Sequence, residues 1–125
     1  MTITDKYQKL VVLLHARSLE RKLNWQFDET RGVWAQIGSR YVQLSGSRNE
    51  NDEPVEIVTI LNSDWHVIET FNDEIFDRLQ APGVGQYMNF YQLMAALRSF
   101  ATRTATGADD AIDELLDELN DDPPF

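Results

Sequence analysis

The stretch Val33-Trp34-Ala35-Gln36-Ile37-Gly38-Ser39-Arg40-Tyr41-Val42-Gln43-Leu44 decides the fold class. Aliphatic residues alternate through it with polar or aromatic ones at a period of two, the mark of a strand with one buried face. Gly38-Ser39 interrupts the alternation at its centre. Glycine leading a two-residue loop suits a type II′ turn, because it accepts positive φ without steric strain. Such a loop sets Ile37 opposite Arg40, Ala35 opposite Val42 and Val33 opposite Leu44. The aliphatics then gather on one face, while Trp34, Gln36, Tyr41 and Gln43 share the other.

Working outward, Ser45 to Glu53 is a polar loop, and Pro54 stands where a strand begins without missing its N–H. Val55–Leu61 and Trp65–Phe71 form a second hairpin around Asn62-Ser63-Asp64. Strict alternation puts Val55, Ile57, Leu61, Trp65, Val67 and Phe71 on one face, and Val58, Ile60 and Ile68 on the other.

The flanks are helical. From Thr4 to Leu23, residues Tyr7, Leu10, Val11, Leu14 and Ser18 fall on one stripe, Lys6, Lys9 and Arg17 lie on another side, and Thr2 with Asp5 makes a capping box. Asn24 to Gly32 is a polar connection whose Trp25 and Phe27 pack back onto that helix. After the sheet, Asn72 or Asp73 caps a short helix through Leu79, broken by Pro82-Gly83-Val84-Gly85. A longer helix runs from about Asn89 to Thr106 on Phe90, Leu93, Met94, Leu97, Ala101 and Ala105, and Gly107 ends it. Asp109 or Asp110 caps a last helix with Ile112, Leu115, Leu116 and Leu119 on one stripe, and Pro123-Pro124 stops it. The expected class is α+β: an N-terminal helix, a four-stranded antiparallel β-meander, and C-terminal helices packed on one face of the sheet. Residues 1–125 read as a single domain, with 109–125 an acidic terminal helix and tail.

The leading helix into Leu23-Asn24-Trp25, the two hairpins and the ending Ala105-Thr106-Gly107-Ala108-Asp109-Asp110-Ala111-Ile112-Asp113-Glu114-Leu115-Leu116 resemble a loose group of small uncharacterised bacterial helix/β-meander/helix proteins. The resemblance covers most of the chain and rests on pattern. It implies the architecture and carries no activity.

The chemistry is sparse. With 42% hydrophobic and 10% aromatic residues in 125, the chain builds a core, and with no cysteine it has no disulfide, thiolate nucleophile or Cys-type metal site. Two histidines, His15 and His66, are too few for a histidine metal cluster. There is no G-x-S-x-G elbow and no G-x-x-x-x-G-K, and Gly83-Val84-Gly85 lacks the third glycine, with Met88 in its place. A glycosidase-type carboxylate pair is defined by separation in space, so sequence does not address it. No cofactor is expected. The apolar run Leu10–Leu14 is too short to span a membrane and wrongly flanked for a signal peptide, so a cytoplasmic protein without membrane association is the expectation. A formal charge of −10 argues against direct nucleic-acid binding through a basic surface.

That charge is concentrated. Residues 109 to 122 hold eight acids and no base, leaving thirteen acids against eleven bases elsewhere. Asp110/Glu114, Asp113/Asp117 and Glu114/Glu118 are like-charge i,i+4 pairs, each costing roughly 0.2–0.5 kcal/mol in an isolated helix. Three readings follow: a solubilising face, neutralisation by Lys6, Lys9, Arg17, Arg21 and Lys22 within one chain or across a homodimer, or a docking surface for a basic protein partner. The leading expectation is a non-enzymatic adaptor or immunity/inhibitor-type module, with Asp110, Asp113, Glu114, Asp117, Glu118 and Asp121 meeting that partner. The alternatives are a structural homodimer, or a small enzyme or ligand-binding domain whose pocket lies between sheet and helices, lined by Trp34, Tyr41, Trp65 and His66.

Overall fold

The computed structural model describes residues 1–121; Asp122 and the Pro123-Pro124 stop lie outside the described residues. Helix α1 spans Ile3–Leu19. The Thr2 hydroxyl accepts the Asp5 N–H and the Asp5 carboxylate accepts the Thr2 N–H, both at 3.1 Å, which is the capping box read from sequence. The helix ends four residues before the expected Leu23. Arg21 turns to φ +58, its N–H reaching the Ser18 carbonyl at 3.0 Å, while the Lys22 N–H reaches Arg17 at 2.9 Å. These two bonds are a Schellman motif formed without its usual glycine.

Five antiparallel strands follow in sequential order: β1 Gln26–Asp28, β2 Gly32–Ile37, β3 Arg40–Arg48, β4 Pro54–Leu61 and β5 Val67–Asn72. The β2–β3 register is the one expected, from Val33↔Leu44 to Ile37↔Arg40, and Gly38 sits at φ +61. The sheet has five strands rather than the four expected. Three residues with one apolar side chain show no alternation, yet Gln26 and Phe27 pair with Trp34 and Val33. Trp25, just ahead, packs back on α1 and donates its indole N–H to the Ser18 hydroxyl at 2.8 Å.

The second hairpin departs from strict alternation. Ile60 pairs with Glu69 and Leu61 with Val67, so Ile68 is an extra residue. This bulge reverses the parity of everything beyond it. Phe71 therefore pairs with Val58 on the helix-covered face, instead of sharing the face of Val67 as expected. The loop is also displaced by one, to Ser63-Asp64-Trp65, with Trp65 at φ +65 and its N–H on the Asn62 carbonyl at 3.0 Å.

The core fills the space between one sheet face and two helices. Val33, Ala35, Val42, Leu44, Val58 and Phe71 pack against Val11 and Leu14 of α1 and against Phe90, Leu93, Met94, Leu97 and Ala101 of α2, which spans Phe90–Thr106. A half-buried ion pair fastens α2 to the sheet: Arg98 donates to both oxygens of the buried Glu56 carboxylate at 2.7 and 3.0 Å. Gly46 leaves room for that fork, since a Cβ there would lie 2.6 Å from Arg98 Nη2.

The expected short helix through Leu79 shrinks to one 3₁₀ turn, Asp73–Ile75. Phe76 ends it with extended backbone, and just beyond, Asp77 accepts the Leu79 N–H at 2.9 Å in place of a helical bond. Helix α3, Ala108–Asp121, starts directly after Gly107 at φ +69, so Asp109 and Asp110 occupy its first turn and neither is its cap. Of the helices expected on the sheet face, α1 and α2 pack there; α3 has no buried residue. Among the described residues no helix is long and apolar enough to cross a membrane.

Candidate functional site

Helix α3 separates its two kinds of side chain. At 100° per residue, Ile112, Leu115, Leu116 and Leu119 form one stripe, and Asp110, Glu114, Asp117 and Asp121 lie on the side away from it. Asp113 and Glu118 flank the stripe. The four aliphatic residues are 46%, 62%, 52% and 70% exposed, so the stripe is not part of the core. All six acids singled out from the sequence are exposed on this helix. The one ion pair α3 makes among the described residues is Arg103 with Asp109 at its start. At the C-terminal end of α1, Arg17 and, just past the helix, Lys22 both pair with Glu20, at 3.0 and 3.1 Å, and form no ion pair with α3 among the described residues.

The second candidate set is divided by the structure. Trp34, Tyr41 and Trp65 come together: Tyr41 and Trp65 stack at 4.0 Å between centroids, and Trp34 meets them edge-on at 5.7 and 5.0 Å. They lie on the sheet face opposite the helices, because Trp34 and Tyr41 alternate with the buried Val33, Ala35 and Val42. The space between sheet and helices, where a pocket with this lining was expected, is occupied by core side chains. His66 is exposed on the turn, where its backbone N–H bonds Asn62 Oδ1 at 3.0 Å.

Two residues not read from the sequence complete this cluster. The Arg31 guanidinium lies 4.0 Å over the Trp65 ring, a cation–π contact. Asp28 accepts the Trp34 indole N–H at 3.2 Å. The Arg31 backbone N–H holds the Asp28 carboxyl below its usual range against the opposing effect of burial, with a smaller contribution from that indole. The signal for both was the Asp28-to-Gly32 turn, where an Asx-type residue precedes a glycine at positive φ. The cluster also explains how a bulky residue holds the left-handed conformation at Trp65, since stacking on Tyr41 and edge-on contact with Trp34 offset a strain of about 1–3 kcal/mol.

Among the described residues, no group of three or more His, Cys, Asp or Glu side chains is placed to hold a metal ion. Compared with protein-family models, curated proteins and solved structures, the chain has no match.

Proposed function

We propose that the chain is a non-enzymatic protein-binding module, of adaptor or inhibitor type, that docks a basic protein partner through α3. One observation carries the reading: four large aliphatic side chains stand on one face of a helix with no buried residue. Burying such a side chain is worth about 1.5–3 kcal/mol, and like-charge pairs make the helix itself a poor reason for the sequence. The mode that fits is a helix laid into an apolar groove. Asp113 and Glu118, flanking the stripe, meet basic residues on the groove's rim. The acids on the far side raise the rate of encounter with a positively charged partner and keep the uncovered helix soluble.

The same geometry disfavours pairing of two α3 stripes in a homodimer. A stable interface needs about 800 Å² from each partner, more than one short stripe on a convex helix supplies, and a groove covers the helix on several sides. The test is affinity capture from the source cell with the wild type and with the Ile112→Ser/Leu116→Ser double variant, beside sedimentation of the purified proteins. A basic protein held by the wild type and lost by an equally stable variant supports the reading. Capture of the same proteins by both overturns it, and a wild-type dimer abolished in the variant favours the homodimer.

A further inference from the structure

A separate cleft lies where the start of β4, the 3₁₀ turn and the first turn of α2 meet, with about 190 Å³ of space. That is somewhat larger than the roughly 150 Å³ engineered cavity that holds benzene and below the roughly 300–1,000 Å³ of drug-sized sites, so its natural occupant is the size of one side chain. Its walls are aromatic: the Phe76 and Phe90 rings stand 4.6 Å apart, with Tyr91 beside them.

Its polar groups are mainly acidic. Asp73, 8% exposed, lines the cleft and accepts the Glu56 N–H on Oδ1 at 2.6 Å. Glu53 and Asp77 line it too, and the single base, Arg78, is engaged by Glu53 at 3.6 Å with its side chain 66% exposed. Among the described residues, neither Asp73 nor Asp77 has a cation within ion-pair distance. The Glu56 N–H needs only an acceptor, which an asparagine would supply without charge. Burial pushes the Asp73 carboxyl up in pKa, opposed by the Glu56 and Asp73 backbone N–H groups, so its charge has more to gain from a cation than a solvated carboxylate would.

We propose that this cleft binds one side-chain-sized organic cation, its alkylammonium or guanidinium head against the Asp73 carboxylate and its carbon stem along Phe76, Phe90 and Tyr91. Such a ligand gains a charge-assisted hydrogen bond and contact with ring faces, the two interactions that recognise organic cations. It comes either from a free small amine or from a lysine or arginine side chain of another protein. The site is independent of α3.

The experiment is an amide NMR titration of the full chain with n-butylammonium, n-butylguanidinium, n-butanol and butyrate. Saturable shifts confined to the residues around Asp73, Phe76 and Tyr91 are expected with the two cations and with neither control. Asp73→Asn, which keeps the acceptor for Glu56, should weaken binding at least ten-fold without lowering the melting temperature. Arg78→Gln, which frees Glu53, should leave cation binding intact or tighter. Saturation by butanol or butyrate, undiminished binding in Asp73→Asn, or loss of binding in Arg78→Gln overturns the proposal. N-acetyl-lysine methylamide binding tighter than n-butylammonium identifies a protein side chain as the source. The reverse order identifies a free amine, and either order upholds the site.

Discussion

Helices α2 and α3 are consecutive, separated by Gly107 alone, and each carries an aliphatic stripe at helical spacing. The stripe of α2 is the centre of the core, with Leu93, Leu97 and Ala101 at 0% exposure. The stripe of α3 touches nothing comparable. What separates them is the polar side: α2 has Arg98, which reaches across to the buried Glu56, whereas α3 has acids and no base. Periodicity announces that a face is to be buried. The chemistry around that face indicates whether the chain itself does the burying.

The most direct way to break this comparison is to truncate one leucine from each stripe. Leu97→Ala should cost about 2–5 kcal/mol, the range for opening a cavity in a packed core. Leu116→Ala should stay within about 0.5 kcal/mol, as for a surface site. Urea midpoints measure both, and a large loss at Leu116 would mean that α3 is covered in solution.

A smaller contrast lies between the arginines of α2. Arg98→Leu strands a buried carboxylate, and because Arg98 itself is 42% exposed, the loss should be about 2 kcal/mol, below the 3–5 kcal/mol of a fully buried pair. Arg103 pairs with Asp109 at the α2–α3 junction, with 47% and 66% of the two side chains exposed. Arg103→Leu should change stability by less than about 1 kcal/mol. Equal losses in the two variants would show that the junction is as firmly held as the sheet contact.

Acid should act on the covered half first. His15 on α1 is buried, edge-on to Tyr87 with its Nε2 3.3 Å from the phenol oxygen, and burial lowers its pKa below the ordinary 6.5. Between 6.5 and that lowered value the unfolded chain binds more protons than the folded one. Stability therefore falls as pH drops through this window and levels below it. Asp73, raised above 3.8 by burial, works the other way: the folded state takes up its proton first, which favours folding as pH falls through its raised value toward 3.8. Chemical denaturation between pH 7.5 and 5 should show the histidine slope, and His15→Gln should flatten it. An unchanged slope would assign it to other groups.

How much of this was legible follows from which restraints are local. The Gly38-Ser39 hairpin was readable because a two-residue loop and an alternating pattern independently give one register. The Ile68 bulge was not, since one unpaired residue leaves no mark in composition yet moves Phe71 to the opposite face. Strand β1 was missed because its pairing with β2 is a tertiary fact, and the early end of α1 because Arg21 takes a conformation usually left to glycine. Trp34, Tyr41 and Trp65 were grouped from the sequence, but the space between sheet and helices is filled by the Val11, Leu93 and Leu97 core. The acids of α3 were legible as a cluster. That its leucines stand in solvent depends on what the rest of the chain leaves uncovered.

The least effect on folding and the most informative one on function should come from reversing Asp113, Glu114, Asp117 and Glu118 to lysine. All four are exposed, and their replacement keeps two like-charge pairs, 113/117 and 114/118, while turning 110/114 attractive, changes worth a few tenths of a kcal/mol each, so circular dichroism should show nearly the same melt. Association is another matter. Charges at the rim of an interface govern how fast partners meet, whereas the buried stripe governs how slowly they part. If the leucines anchor α3 in a basic-rimmed groove, the reversed helix should associate more slowly by an order of magnitude or more, with a dissociation rate changed far less. The wild-type association rate should fall as salt screens the field, and that of the variant should depend on salt far less. Ile112→Ser/Leu116→Ser should give the opposite kinetic signature, a faster dissociation at nearly unchanged association. Biosensor kinetics with the captured partner separate the two, and a reversed helix that associates at the wild-type rate would leave the acids with solubility as their role.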